Sequence, residues 1–215
     1  MKTDGSVVTW GRDSYGGDSS SVASSLSSGV SSIVSNNMAF AAIKEDGSVV
    51  TWGNADTGGD SSGVANGLSS GVTSIVSNTY AFATLKADGS VVTWGRSDYG
   101  GDSSSVDLSS GVSSIVSNRI AFAALKEDGS VVTWGASDRG GDSSGVASSL
   151  TSGVSSIVGA GSAFVAIKTD GSVVTWGGST SGGDSSAVQN ELKTLLTYTI
   201  DTVSDTHLRA HETRE

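Results

Sequence analysis

Cysteine is absent from this sequence, and its absence removes disulfides, zinc–thiolate sites and thiol nucleophiles together. Proline is absent too, and only two histidines occur, His207 and His211, both close to the C-terminus. No run of 18 apolar residues exists, so no membrane span is expected. Positive charge is scarce: 12 lysines and arginines face 22 acids, for a net charge of −10. That balance argues against nucleic acid and anionic membranes as partners, because both attract basic surfaces. Apolar residues make up 36%, low for a globular core, whereas glycine (30 residues) and serine are over-used. Small residues in this proportion suit tightly stacked sheets and short turns rather than a helical core.

What is present is a repeat. The phrase DGSVVTWG recurs with its tryptophan at Trp10, Trp52, Trp94, Trp134 and Trp176, at spacings of 42, 42, 40 and 42 residues. This is the length of a β-propeller blade. Four complete units run Ser28–Gly53, Ser70–Gly95, Ser110–Gly135 and Ser152–Gly177, with a half unit at each end. The expected organisation is a repeat array over residues 1–202, with repeats near 28–69, 70–109, 110–151 and 152–192. The one short spacing arises around Val106–Leu108, where two residues are lost relative to the other units. A segment that tolerates deletion is expected to be a surface connection. The chain opens inside a repeat, without a signal peptide, and Met1 stands where the other units carry Ile43, Leu85, Leu125 or Ile167. The start therefore reads as a truncation or internal start within a longer array.

Each unit predicts three strands: GVSSIVSN (29–36), AFAAIK (39–44) and SVVTWG (6–11 and its copies). An Asp-Gly turn links the second and third, since glycine accepts the positive φ that such hairpins require. The GGDSSSV stretch admits either a short fourth strand or a single helical turn that carries Val22 and Leu26 inward. Apolar residues fall on both faces of the strands, the pattern of a sheet covered on both sides. In a propeller the neighbouring blades supply both covers. The expected fold is therefore all-β, an incomplete propeller of four full blades of three to four antiparallel strands plus two half blades. Whether the half units complete a fifth blade or the blades form an open arc is left undecided by the sequence.

AFAALKEDGSVVTWG, preceded by SGVSSIV, resembles the repeat of the regulator of chromosome condensation family. It is most similar to the bacterial branch that includes the propeller-type β-lactamase inhibitor protein. The resemblance spans about residues 1–196. It implies a propeller with a protein-binding loop face, and it does not fix a partner, because fold does not fix function. After residue 192 the pattern decays. KTLLTYTIDT (193–202) aligns with Thr151–Ala160 as a worn first strand. Val203–Thr213 resembles translated transposase sequencing-adapter DNA at every position except Asp205. Residues 203–215 are therefore expected to be a non-native tail that takes no part in the fold. His207 and His211, spaced like a helical zinc pair, belong to that tail.

Without those histidines, no Ser-His-Asp triad or histidine metal site can be assembled. The serine runs are composition. Asp4, Asp46, Asp88, Asp128 and Asp170 sit in the hairpin turns, where a carboxylate accepts local backbone N–H groups. Asp18, Asp60, Asp102, Asp142 and Asp184 follow the Gly-Gly pairs and either cap the next turn or join Asp13, Asp56, Asp98 and Asp138 in binding calcium. The GGD element lacks the spacing of calcium nonapeptide repeats. No Lys-Ser or Lys-Thr follows the Gly-Gly pairs, so they are not phosphate loops. No metal and no cofactor is expected.

The informative positions are those at which the units differ. One set separates the first and second strands: Asn37-Met38, Thr79-Tyr80, Arg119-Ile120 and Gly161-Ser162. The other follows Trp-Gly: residues 12–15, 54–57, 96–99, 136–139 and 178–181. In an antiparallel blade both connections emerge on the same side, opposite the constant Asp-Gly turn. Tyrosine, arginine and methionine, types enriched at interfaces, gather there. The predicted partner-binding residues are Tyr15, Asn37, Met38, Thr79, Tyr80, Asp98, Tyr99, Arg119, Ile120 and Arg139. The expected function is a non-enzymatic protein-interaction module of a secreted or cell-surface bacterial protein, with an unknown protein partner and self-association through exposed end blades. The alternative is a structural spacer with no specific ligand.

Overall fold

The computed structural model describes residues 1–188. The expectations for the worn strand at 193–202, the tail at 203–215 and the two histidines lie outside the described residues. Four three-stranded antiparallel sheets follow one another along the chain, each with strands in sequence order. The first holds β1 (Val30–Ser35), β2 (Ala39–Lys44) and β3 (Val49–Gly53). The second holds β4 (Val72–Ser77), β5 (Ala81–Lys86) and β6 (Val91–Gly95). The third holds β7 (Val112–Ser117), β8 (Ala121–Lys126) and β9 (Val131–Gly135). The fourth holds β10 (Val154–Ala160), β11 (Ala163–Lys168) and β12 (Val173–Gly177). These are propeller blades: β1 packs on β4, β4 on β7 and β7 on β10, so the first strands form one continuous inner row.

The two faces of a blade are unlike. In the first blade Ala39, Ala41 and Ile43 project forward and pack with Leu68, Val72, Ile75, Phe82 and Trp94 of the next unit. Ala81 and Ala83 meet Ile115, Phe122 and Trp134 in the same way, and Ala121 and Ala123 meet Phe164 and Trp176. The small alanines make room for the rings. Within each blade Phe and Trp sit opposite one another in the register, as in Phe82↔Trp94, and their rings stack with centroids 5.1–5.4 Å apart. Phe82, Phe122 and Phe164 are fully buried.

Between the second and third strands, Gly47 takes φ 75°, as the Asp-Gly signal requires. The Asp46 carboxylate accepts the Ser48 backbone N–H at 2.9 Å and its hydroxyl at 2.6 Å. The Gly47 carbonyl then accepts the Val72 N–H, which fixes the turn to the start of the next blade. A register shift near the start of each first strand marks a β-bulge, and the extra residue (Ser31, Thr73, Ser113 or Ser155) bonds a carbonyl of the second strand through its hydroxyl.

Of the two alternatives for GGDSSSV, the helical turn is the one present among the described residues: 3-10 turns stand there (Ser20–Val22, Ser62–Val64, Ser144–Ser149) and lead into the buried Leu26, Leu68 and Leu150. Aspartates such as Asp60, which bond the N–H two residues on, direct the chain into these turns instead of into a sheet. Ser6–Gly11, predicted as a strand, pairs with no other strand, because no second strand of its own unit lies beside it. The shortened connection before β7 lacks the 3-10 turn, yet Leu108 is buried and its carbonyl accepts the Val91 N–H as Leu68 accepts that of Val49. Trp10 (84% exposed) at one end, and Val158 (54%) and Ile167 (40%) at the other, leave the end faces open among the described residues.

Trp94→Ala removes a buried ring from an inner junction and is expected to cost about 3–5 kcal/mol. Trp10→Ala changes the same residue type in solvent and is expected to stay within about 0.5 kcal/mol of wild type. Urea unfolding of the two variants checks the contrast.

Eleven aspartates, among them Asp46, Asp60, Asp88 and Asp107, sit below the ordinary value of 3.8 because serine hydroxyl and backbone donors two residues on stabilise the carboxylate. A folded value below the unfolded one adds stability that is complete above the unfolded value and is lost as pH falls through the folded one. The melting temperature should therefore hold level from about pH 7 to 5 and decline below about 4. In thermal melts the Ser48→Ala/Ser90→Ala/Ser130→Ala variant, which lacks three of the hydroxyl donors, should show a shallower decline.

Candidate loop-face interface

Both variable connections of each blade converge on one side. The residue after Trp-Gly donates its N–H to the carbonyl that ends the first connection: Asn54 to Met38, Arg96 to Tyr80, Ala136 to Ile120 and Gly178 to Ser162, at 2.8–3.2 Å. The second connection is a single 3-10 turn (Ala55–Thr57, Ser97–Tyr99, Ser137–Arg139) closed by a left-handed glycine. At Gly100, φ is 95° and an added Cβ would fall 2.6 Å from the Phe122 ring, so both backbone and space demand glycine there. The Gly100 carbonyl accepts Trp134 Nε1–H at 3.1 Å, which ties the loop to the next blade's core.

An asparagine joins the two connections. Asn78 Oδ1 accepts the N–H groups of Tyr80 and Ala81, while its Nδ2 donates to the Tyr99 carbonyl at 2.6 Å. Asn36 and Asn118 make the same three bonds with their own loops. The fourth blade has Ala160 at this position. Neighbouring loops are also linked: the Thr79 N–H donates to the Arg119 carbonyl, and the Arg119 N–H to that of Gly161. Along the inner row the Ser77 hydroxyl bonds the Ser35 carbonyl, and the Ser117 hydroxyl that of Ser77.

On this frame the arginines stand against tyrosines. The Arg12 guanidinium lies 4.5 Å from the Tyr15 ring centroid. That of Arg96 lies 4.9 Å from Tyr99 and 5.9 Å from Tyr80, and the two tyrosine rings are 5.1 Å apart with a 30° tilt. Arg139 pairs with Asp138 at 3.1 Å and donates to the Ser162 hydroxyl. Asn37, Asp98, Arg119 and Arg139 are exposed, as is Tyr15 at 42%, while Met38, Thr79, Tyr80, Tyr99 and Ile120 are half-buried. A cleft of about 460 Å³ between the first and second blades sets Arg96 opposite Asp56 and Asp60.

All ten predicted positions therefore lie on this side, and Tyr80 and Tyr99 come together in one cluster. Arg12 and Arg96 fall in the variable segments but outside the ten predicted binding residues, and the three clamping asparagines carry no functional expectation. The first two carry a legible signal: Arg-x-x-Tyr occurs at both 12–15 and 96–99, and i,i+3 positions eclipse one another on a 3-10 turn. The described cations divide by type. Arg12, Arg96, Arg119 and Arg139 are all in these loops, whereas Lys44, Lys86, Lys126 and Lys168 end the second strands next to the constant turn. Lys44 and Lys168 bond the Ser25 and Ser149 carbonyls there. Among the described residues no group of three or more His, Cys, Asp or Glu could hold a metal ion, and no helix is long and apolar enough to cross a membrane.

Asn78→Ala removes all three clamping bonds and leaves the Tyr99 carbonyl without its donor. The expected cost is about 1–3 kcal/mol. Hydrogen exchange at residues 80, 81 and 99 should speed up well beyond the change at the Asp88 turn on the opposite side, and amide exchange with mass spectrometry measures both.

No protein-family model and no curated protein matches the chain. Solved structures do match it. The CRINKLY WD40 ectodomain of the Arabidopsis thaliana receptor kinase ACR4 is 20% identical, over 69% of this chain and 51% of its own, with a TM-score of 0.43. Prp20p of Saccharomyces cerevisiae, described with its binding properties to Gsp1p and histones, is 18% identical over 69% of this chain and 45% of its own, with a TM-score of 0.47. Human WBSCR16 is 16% identical over 69% and 47%, with a TM-score of 0.47. The chain spans about half the length of these proteins, and the likeness is one of fold.

Proposed function

We propose that this chain is a non-enzymatic protein-interaction module that binds its partner through the variable loop face. The observation that carries this reading is the placement of side chains. Among the described residues every tyrosine (Tyr15, Tyr80, Tyr99) and every arginine lies in the loops of one side. The opposite side repeats the same Asp-Gly turn in each unit. Tyrosine and arginine dominate binding hot spots, since they combine large contact area with directional polar groups. The loops that present them are fixed to the blades by backbone and asparagine bonds, so little ordering cost attends binding. A secreted or cell-surface setting in a bacterium belongs to the same reading. It rests on the repeat's similarity to the bacterial inhibitor branch, and the lack of cysteine is compatible with it.

The near-identity of the inner junctions favours the second reading, a spacer in which blades add length and no face binds. Capture experiments separate the two. Proteins retained by the wild-type chain should be lost at least tenfold from a Tyr15→Ala/Tyr80→Ala/Tyr99→Ala/Arg119→Ala variant. They should be kept by a Lys86→Ala/Lys126→Ala variant of the constant side. Equal retention by wild type and the loop variant counts for the spacer.

A further inference from the structure

The second blade brings two oxidisable side chains together from separate connections. Tyr80 ends the connection between β4 and β5, and Tyr99 ends the 3-10 turn that follows β6. Their rings lie 5.1 Å apart between centroids, with planes tilted by 30°. Among the described residues this is the one pair of tyrosine rings in contact. Tyr15 meets the Arg12 guanidinium instead of a second phenol.

Three constraints hold the pair in place. Asn78 accepts the Tyr80 N–H and donates to the Tyr99 carbonyl, so one side chain fixes both backbones. The Arg96 N–H bonds the Tyr80 carbonyl, which ties the end of β6 to the same residue. The Arg96 guanidinium then gathers the two rings, 4.9 Å from the Tyr99 centroid and 5.9 Å from that of Tyr80. Both tyrosines are half-buried, so they are held yet reachable from solvent. Two reactants kept side by side in this way react as one unit, without the entropic cost of meeting. The chain has no cysteine, so a disulfide cannot cross-link it, and a phenol pair can.

We propose that Tyr80 and Tyr99 are an oxidative cross-linking site, joined as dityrosine within one chain by a one-electron oxidant of the peroxidase class acting with hydrogen peroxide. Each phenol gives up its hydroxyl hydrogen, as one electron and one proton, and becomes a phenoxyl radical. The two radicals pair to form a carbon–carbon bond between a Cε of Tyr80 and a Cε of Tyr99. The hydrogen on each of these carbons then passes to the oxygen of its own ring, and both phenols are restored. Hydrogen peroxide takes up the two electrons and two protons and leaves as two water molecules. The link fastens the first variable connection of the blade to its second by a bond that denaturant does not open. It needs no partner, so it does not rest on the loop-face reading.

The test treats the 215-residue chain carrying Tyr15→Phe and Tyr198→Phe, which keeps Tyr80 and Tyr99 as its only tyrosines, with a haem peroxidase and hydrogen peroxide. Trypsin cuts after Lys44, Lys86, Arg96 and Arg119, so the link joins residues 45–86 to residues 97–119. Mass spectrometry should find this joined species two hydrogens lighter than the separate peptides together. Before digestion, linked single chains should exceed linked pairs of chains at least tenfold, and their yield should hold as the protein is diluted. Tyr80→Phe and Tyr99→Phe each keep a ring in place but lack the hydroxyl hydrogen that the first step removes, and each should abolish the single-chain link. Linkage only between two chains, a yield that falls with dilution, or no link under conditions that couple free tyrosine overturns the proposal.

Discussion

The structure depends on one contact, repeated at every inner junction: a stacked Phe–Trp pair pressed against the alanine face of the blade before it. The rings are the largest side chains in a core otherwise built from alanine and aliphatic residues, in a chain only 6% aromatic. Alanine is the necessary counterpart, because a larger residue at Ala81 or Ala83 would hold the sheets apart. The indole N–H adds direction. By donating to the glycine carbonyl of the preceding unit, as Trp134 does to Gly100, it fixes how far each blade is turned about its neighbour. The same bond reaches the loop face, because that glycine closes the 3-10 turn carrying Tyr99. Core packing and loop presentation therefore share one atom pair.

This arrangement separates what must stay constant from what is free to change. The Asp-Gly turn is constrained on two sides, by its own positive φ and by the bond from Gly47 to Val72 of the next unit. The loop side is constrained mainly through backbone groups and one asparagine, which leave the side chains at 37–38, 79–80 and 119–120 unassigned to any structural task. Arginine and tyrosine collect at the unassigned positions, and lysine at the assigned ones, where its long stem reaches a carbonyl of the preceding connection.

Much of this was legible in the sequence. The 42-residue period, the Asp-Gly turns and the apolar strands showed the blades, and the parity of an antiparallel sheet showed that both variable connections share a side. Other features were hidden for physical reasons. GGDSSSV admitted a strand or a helical turn, and the aspartate decides for the turn by capturing the backbone N–H two residues on. Ser6–Gly11 reads as a strand because propensity is local, whereas pairing requires a neighbour that propensity does not contain. Asn36, Asn78 and Asn118 were passed over because they are the same in three units, and reasoning that looked for differences among repeats is blind to a constant residue holding the variable ones.

The shortened connection ahead of β7 shows where the array is indifferent to length. Two residues are gone, one 3-10 turn with them, and Leu108 still occupies the place of Leu68 and Leu150. The same loss inside a hairpin would shift the Phe–Trp register, and a loss of one residue would turn a strand's core face outward. Tandem copies in DNA gain and lose short stretches by slippage and unequal exchange. In this chain such an error is silent in one segment of each unit, so the gene can be lengthened, shortened or recombined there while every blade it encodes still fits its neighbour.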